Sequence, residues 1–178
     1  MNLPEVNVKK ILYATDLSDN ARYAFAYAVS LANLYGAVLT LLHVLPEVPE
    51  SLDAAVEGYI SKDGWEKIKQ RHLDDARETL TRKRKDHVAI KEVLDQFCED
   101  AKSNKEESPF STDDILVVWG NPVEQILLQA DEKNCDLIVM GTHGRGSLAD
   151  AMIGSTARRV VRRSQKPVLV IRLPEESD

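Results

Sequence analysis

The chain has 178 residues, 43% of them hydrophobic and 29% charged, with a formal net charge of −6; it is long enough to bury one substantial core, and its balance is that of an ordinary globular domain rather than a disordered or disulfide-stapled chain. An acidic surplus repels nucleic acid and anionic lipid except at a local basic patch, and the longest apolar run, AVLTLLHVL, is about half of what a membrane-crossing helix needs, so neither partner is expected. Cys98 and Cys135 lie far apart, as suits reduced thiols, and the opening MNLPEVNVKK has no apolar stretch behind a basic start; a cytoplasmic location is the expectation.

VKKILYAT reads as a first strand, and DLSDNARYAFAYAVSLANLYG as a helix. Ser18 or Asp19 can cap it, Ala21, Phe25, Ala28, Val29 and Ala32 form its apolar stripe, and Gly36 stops it. AVLTLLHV is a nearly uniform apolar run, as expected of a strand covered on both faces; His43 within it reads as a hydrogen-bonded core residue. Pro46 and Pro49 open a loop to about Ser61. GWEKIKQRHLDDARETLTRKRKDH follows, with Trp65, Ile68, His72, Ala76 and Leu80 on one helical face and RKRK (82–85) complementing the helix C-terminus. VAIKEVLDQFCEDAKSNKEESPFS reads as a further helix and a polar loop, with no function assigned.

TDDILVVWG is another strand. In NPVEQILLQADEKN, Asn121 can be the N-cap, Pro122 stands at N1 and Glu124 at N3, a capping-box pattern. CDLIVM is a fourth strand, STARRVVRRS a helix whose Arg158, Arg159, Arg162 and Arg163 form a basic surface, Pro167 a breaker and PVLVIRL a fifth strand. Buried strands alternating with helices indicate an α/β fold: a doubly wound, five-stranded parallel sheet with helices on both faces. Such sheets bind ligands beyond the carboxyl ends of their strands where the winding reverses. The two loops expected there are ATDLS, with Asp16, and GTHGRGSLADAMIGST.

The second loop places glycines at 141, 144, 146 and 154 before a helix begins at Ser155 and Thr156. Glycine suits positive φ or a closely approached backbone, and the first amides of a helix have no partner within it. Gly141, Gly144 and Gly154 are therefore expected to leave amides unshielded beside a helix N-terminus, a cradle for an anion. A helix N-terminus contributes at most about 2 kcal/mol and micromolar affinity requires about 8. A nucleotide, with several phosphates and a base, fits better than free phosphate.

Gly141, two residues, Gly144, nine residues, Gly154 and Ser155 match G-x2-G-x9-G-[S/T], and the chain here resembles the ATP-binding universal stress proteins. The resemblance extends over ILYATDLSDNARYAFAYAVSLA, LLHV, CDLIVMGTHGRG and GSTARRVVRRSQKPVLVIR, that is, most of one domain spanning 1–178. Residues 47–61 and 88–111 read as insertions. The resemblance implies a sheet of the adenine nucleotide alpha hydrolase-like, Rossmann-like kind. It also implies ATP, AMP or ADP as ligand, with Mg2+ or Mn2+ bridging the phosphates and no metal ligand from the protein. Asp16 would lie near ribose, Val44 would read adenine through its backbone, and Met140 and Gly141 would line the ribose side. Gly144, Arg145, Gly154, Ser155 and Thr156 would hold phosphates, with His143 beside them. Without the resemblance, Asp16 reads equally as a turn or helix cap and His143 as an exposed loop residue. The resemblance further implies a homodimer joined through the edge strand Val168 to Leu173.

Two other motifs fail. GRGSLA satisfies G-x-G-x-x-A, but it lies in the last unit and is not followed by an acidic residue about 20 positions on. A phosphoacceptor receiver needs an acceptor Asp after the third strand and a Lys near the fifth, where this chain has Trp119, Gly120 and Asn121, and Arg172. A nucleotide-dependent signalling module in the stress response is the favoured function. The alternative is a slow ATPase, or a phosphotransferase that modifies its own Ser155 or Thr156; no catalytic residue is assigned.

Overall fold

The computed structural model describes residues 3, 5–45, 85–99, 101–103, 110–142 and 153–172. In chain order these form β1 (Lys10–Thr15), α1 (Asp19–Tyr35), β2 (Val38–Leu45), α2 (85–99, helical again at 101–103) and β3 (Ser111–Trp119). Then come α3 (Pro122–Glu132), β4 (Leu137–Gly141), α4 (Ser155–Arg163) and β5 (Val168–Ile171). The five strands make one parallel sheet in the order β3-β2-β1-β4-β5, the α/β architecture expected. The Trp65–Leu80 helix and most of RKRK fall outside the described residues.

The sheet is sandwiched between two apolar layers. On one side Phe25, Ala28 and Val29 of α1 and Leu94 and Cys98 of α2 cover Ile11, Tyr13, Leu39, Leu41 and Val139. On the other, Val123, Ile126 and Ala130 of α3 and Ala157 and Val160 of α4 cover Leu12, Leu42, Ile138 and Met140. Alternate residues of β1 thus enter opposite layers, as the pleat requires. The helix inside the 88–111 stretch is consequently part of the core, with Leu94 and Cys98 almost wholly buried.

Local signals explain the helix ends. Ser18 caps α1 by accepting from the Ala21 amide, leaving Asp19 in the first turn, and Gly36 ends it at φ 65°. Every residue of the expected stripe is buried, but so are Asn20 and Ala24, one turn apart on the same face. The Asn121 side chain accepts from the Val123 amide at 3.0 Å and caps α3. The expectation of five buried strands needs correcting at the two edges: in β5 only Ile171 is fully buried, and in β3 only Val117. β3 is an edge strand, and Lys10 and Lys133 pair with Asp113 and Asp114 along it; charged side chains of this kind discourage further strands from adding.

Burial also sets the state of the titratable core groups. The Tyr13 hydroxyl donates to the Ala21 carbonyl at 2.6 Å, and desolvation pushes the phenol above its usual range. Desolvation likewise raises the thiols of Cys98 and Cys135 to about 11, so both are neutral at physiological pH and poor nucleophiles.

Candidate functional site

β1 and β4 are neighbours, yet β1 leads into α1 on one face of the sheet and the segment after β4 leads into α4 on the other. The winding therefore reverses between them, and a crevice opens at their carboxyl ends. The chain leaves β1 through a tightly fastened turn. Thr15 Oγ1 accepts from the Leu17 amide at 3.0 Å, and the Thr15 carbonyl lies 2.8 Å from His43 Nδ1 on the adjacent strand. That ring nitrogen must therefore carry the proton, and His43 is a buried, hydrogen-bonded residue as the sequence indicates. Leu17 has φ 63°, a conformation that strains a bulky L-residue by about 1–2 kcal/mol. The neighbouring hydrogen bonds and the packing of the Leu17 side chain against the α1 core hold it there. Asp16 Oδ1 accepts from both the amide (3.1 Å) and the hydroxyl (2.6 Å) of Ser18. Of the two readings of Asp16, the turn-fastening one is directly visible in this oxygen.

The β4 side is built around Thr142. Its amide donates to the Ile171 carbonyl (2.8 Å), its carbonyl accepts from the Gly154 amide (2.9 Å), and its hydroxyl accepts from Asn20 Nδ2 (3.1 Å). The expectation of an unshielded amide changes at Gly154. The Gly154 N–H is already engaged by Thr142, and the Cα of Gly141 is covered by Asn20: a Cβ there would lie 3.2 Å from the Asn20 amide and 3.3 Å from its backbone carbon. Neither glycine needs a positive φ. Among the described residues, the helix that follows has no side-chain cap. α4 starts at Ser155 with Gly154, which has no side chain, in the capping position, whereas α1 and α3 are capped by Ser18 and Asn121.

The strand register gathers the described candidate residues at one end of the sheet. Thr15 stands opposite His43, so Asp16 and Val44 follow on adjacent strands, and Ala14 stands opposite Met140, placing Gly141 next in line on β4. Val44 is half-buried one residue before the end of β2, not at its end. Gly154, Ser155 and Thr156 join this group through the bond from Gly154 to Thr142. His143, Gly144 and Arg145 lie outside the described residues. The sequence reading did not single out Asn20 or Thr142; a polar residue on the same helical row as Ala24 and Ala28 was the available signal for the first.

Charge distinguishes this crevice from another hollow. A groove of about 310 Å³ between α2 and β3 is large enough for a small ligand. It is lined by Asp95 and Glu99 on one wall and Asp113 and Asp114 on the other, beside Lys91 and Lys102, with Asp113 and Asp114 also paired to Lys10 and Lys133. Carboxylates on both walls disfavour a polyphosphate. At the crevice, a helix N-terminus with no side-chain cap among the described residues, and with Arg158 and Arg159 in its first two turns, favours one. Among the described residues no three His, Cys, Asp or Glu side chains form a metal-binding group, and no helix is long and apolar enough to cross a membrane.

Comparison with known proteins agrees with this architecture. The model of the universal stress protein family matches residues 7–172. The universal stress protein MJ0577 of Methanocaldococcus jannaschii is 30% identical over 94% of this chain and 96% of its own. The solved structure of MJ0577 superposes with a TM-score of 0.59 at 26% identity, covering 96% of this chain and all of the other. A universal stress protein solved in complex with cAMP shares the fold, with a TM-score of 0.56 at 20% identity over 94% of this chain and 98% of the other.

Proposed function

We propose an adenine-nucleotide-binding role on one premise: this chain belongs to the universal stress protein family. The ligand is ATP, or its di- or monophosphate, seated in the crevice between β1 and β4. Its adenine and ribose lie over the ends of β2, β1 and β4 beside Val44, Asp16, Met140 and Gly141, and its phosphates point at the start of α4. The observation that carries this reading is the N-terminus of α4 at the switch point of the sheet, which no side chain caps among the described residues, whereas α1 and α3 are capped by Ser18 and Asn121. The cAMP complex of another family member supports it to the extent that a sheet of this kind accommodates an adenine nucleotide.

The amides of Ser155, Thr156 and Ala157 and the hydroxyls of Ser155 and Thr156 are the donors in α4 for a phosphate. They supply about 2 kcal/mol at most through the helix end, so base, ribose and the remaining phosphates account for the rest. His143, Gly144 and Arg145 belong to this proposal through the G-x2-G-x9-G-[S/T] spacing alone. Mg2+ or Mn2+ would be carried by the phosphate oxygens and water and would neutralise their charge. The protein acts as a nucleotide-dependent signalling module in the cytoplasm, paired through β5. That strand is half-buried at the sheet edge, where a second copy can extend the sheet.

Isothermal titration of the purified protein with Mg-ATP, combined with sedimentation, tests this reading. Saturable one-to-one binding in the micromolar range by a dimer is the expected result. No heat at millimolar ATP, from a folded protein, would overturn the nucleotide assignment. Single-turnover measurement on the same sample separates binding from catalysis. Hydrolysis faster than about 1 s⁻¹, within the ordinary enzyme range, would instead favour the phosphate-transferring alternative.

A further inference from the structure

We infer that Asn20 is a positioning residue for the nucleotide crevice. It bolts the start of α1 to Thr142 and so fixes the span between the Asp16 turn and the N-terminus of α4; this rests on the nucleotide reading given above. Asn20 is 7% exposed, in the first turn of the helix that follows the Asp16 turn. Its side chain packs over the bare Cα of Gly141 and donates from Nδ2 to Thr142 Oγ1 at 3.1 Å. The Thr142 carbonyl in turn holds the Gly154 amide at 2.9 Å, immediately before the first donor residues of α4. A continuous set of contacts therefore runs from one wall to the other: Asp16 to Ser18, Ser18 to the Ala21 amide in the first turn of α1, Asn20 to Thr142, and Thr142 to Gly154.

The geometry explains why glycine occupies position 141. Any Cβ there would press on the Asn20 amide and on the helix backbone, so the side chain at 20 and the missing one at 141 form a matched pair. It also explains why a polar residue occupies a buried row otherwise made of alanines, Ala24 and Ala28. An alanine at 20 would complete that row but leave the Thr142 hydroxyl without its bond to α1. Asn20 acts through its bond to Thr142. Affinity for a ligand that spans both walls depends on how well the walls are held in place before binding.

Four variants and three measurements test this. Asn20→Ala and Thr142→Val remove one side of the bond each, Thr142→Ser keeps the hydroxyl, and the Asn20→Ala/Thr142→Val pair closes a double-mutant cycle. Amide exchange by NMR, without nucleotide, should show the Gly154 amide exchanging about tenfold faster in both single variants and near the wild-type rate in Thr142→Ser, a change of the order expected from losing one buried hydrogen bond. Mg-ATP affinity should fall about tenfold in each single variant, no further in the pair, and be recovered in Thr142→Ser. A purely structural role would instead lower the melting temperature while leaving affinity and Gly154 exchange unchanged, and that pattern overturns the inference. Faster Gly154 exchange in a protein that binds no ATP even as wild type would uphold the bolt and overturn the nucleotide reading. Unchanged exchange together with normal ATP binding by the wild type would do the reverse.

Discussion

Replacing Gly154 with Val weakens ATP binding at least tenfold while the protein stays folded. Gly154 has φ −55° and ψ 156°, extended backbone that any residue adopts, so a valine there brings no backbone strain. Its amide is directed at Thr142 and not at a ligand, so the bond that closes the start of α4 is retained. The branched side chain nevertheless stands beside the amides of Ser155, Thr156 and Ala157, where a phosphate must approach within hydrogen-bonding distance. A poorer N-cap than glycine costs the helix about 1 kcal/mol at most, well below the stability of a domain. Calorimetry reads the affinity and thermal melting the fold. Arg163→Ala, in the last turn of the same helix, changes affinity much less. Equal affinity for Gly154→Val and wild type would remove the start of α4 from the site.

Phe25→Ala destabilises the protein by about 3–5 kcal/mol, the range for emptying an aromatic position in a packed core. Phe25 is 4% exposed on α1. Its ring centroid lies 5.1 Å from that of Tyr13 on β1, 4.8 Å from Phe97 on α2 and 5.5 Å from Phe110 just before β3. Tilted and edge-on arrangements at such distances add to the burial of the rings. One side chain thus ties the first strand and helix to the helix of the 88–111 stretch, and a loss of this size is a large part of the roughly 5–15 kcal/mol available to a domain. Urea unfolding measures it. A loss below about 1 kcal/mol would mean that α2 does not depend on this cluster.

Features governed by local rules were legible in the sequence. The stripe of Ala21, Phe25, Ala28, Val29 and Ala32, the stop at Gly36 and the Asn121–Pro122 start all follow from helical periodicity and cap chemistry, and alternation of strand and helix was enough to indicate a doubly wound sheet. The partners of individual backbone groups in the crevice were not legible. Which carbonyl engages the Gly154 amide depends on Thr142, twelve positions earlier, and on β5 fixing Thr142 in turn. Gly141 invites a ligand-approach reading because spacing alone cannot tell a phosphate from the side chain of a residue more than a hundred positions away. Leu17 at φ 63° is likewise hidden, since leucine carries no local preference for that conformation and only the surrounding bonds hold it. β3 reads as apolar from its ILVV segment, yet its half-exposed state comes from being last in the sheet order.

Titration of the isotopically labelled protein with Mg-ATP, followed through its assigned amide signals, tests the central claim most directly. Saturable shifts of Ser155, Thr156 and Ala157 together with Asp16, Leu17 and Ser18, at one common affinity, are the predicted result. Shifts confined to the groove between α2 and β3, with the α4 amides unmoved at millimolar nucleotide, would contradict it.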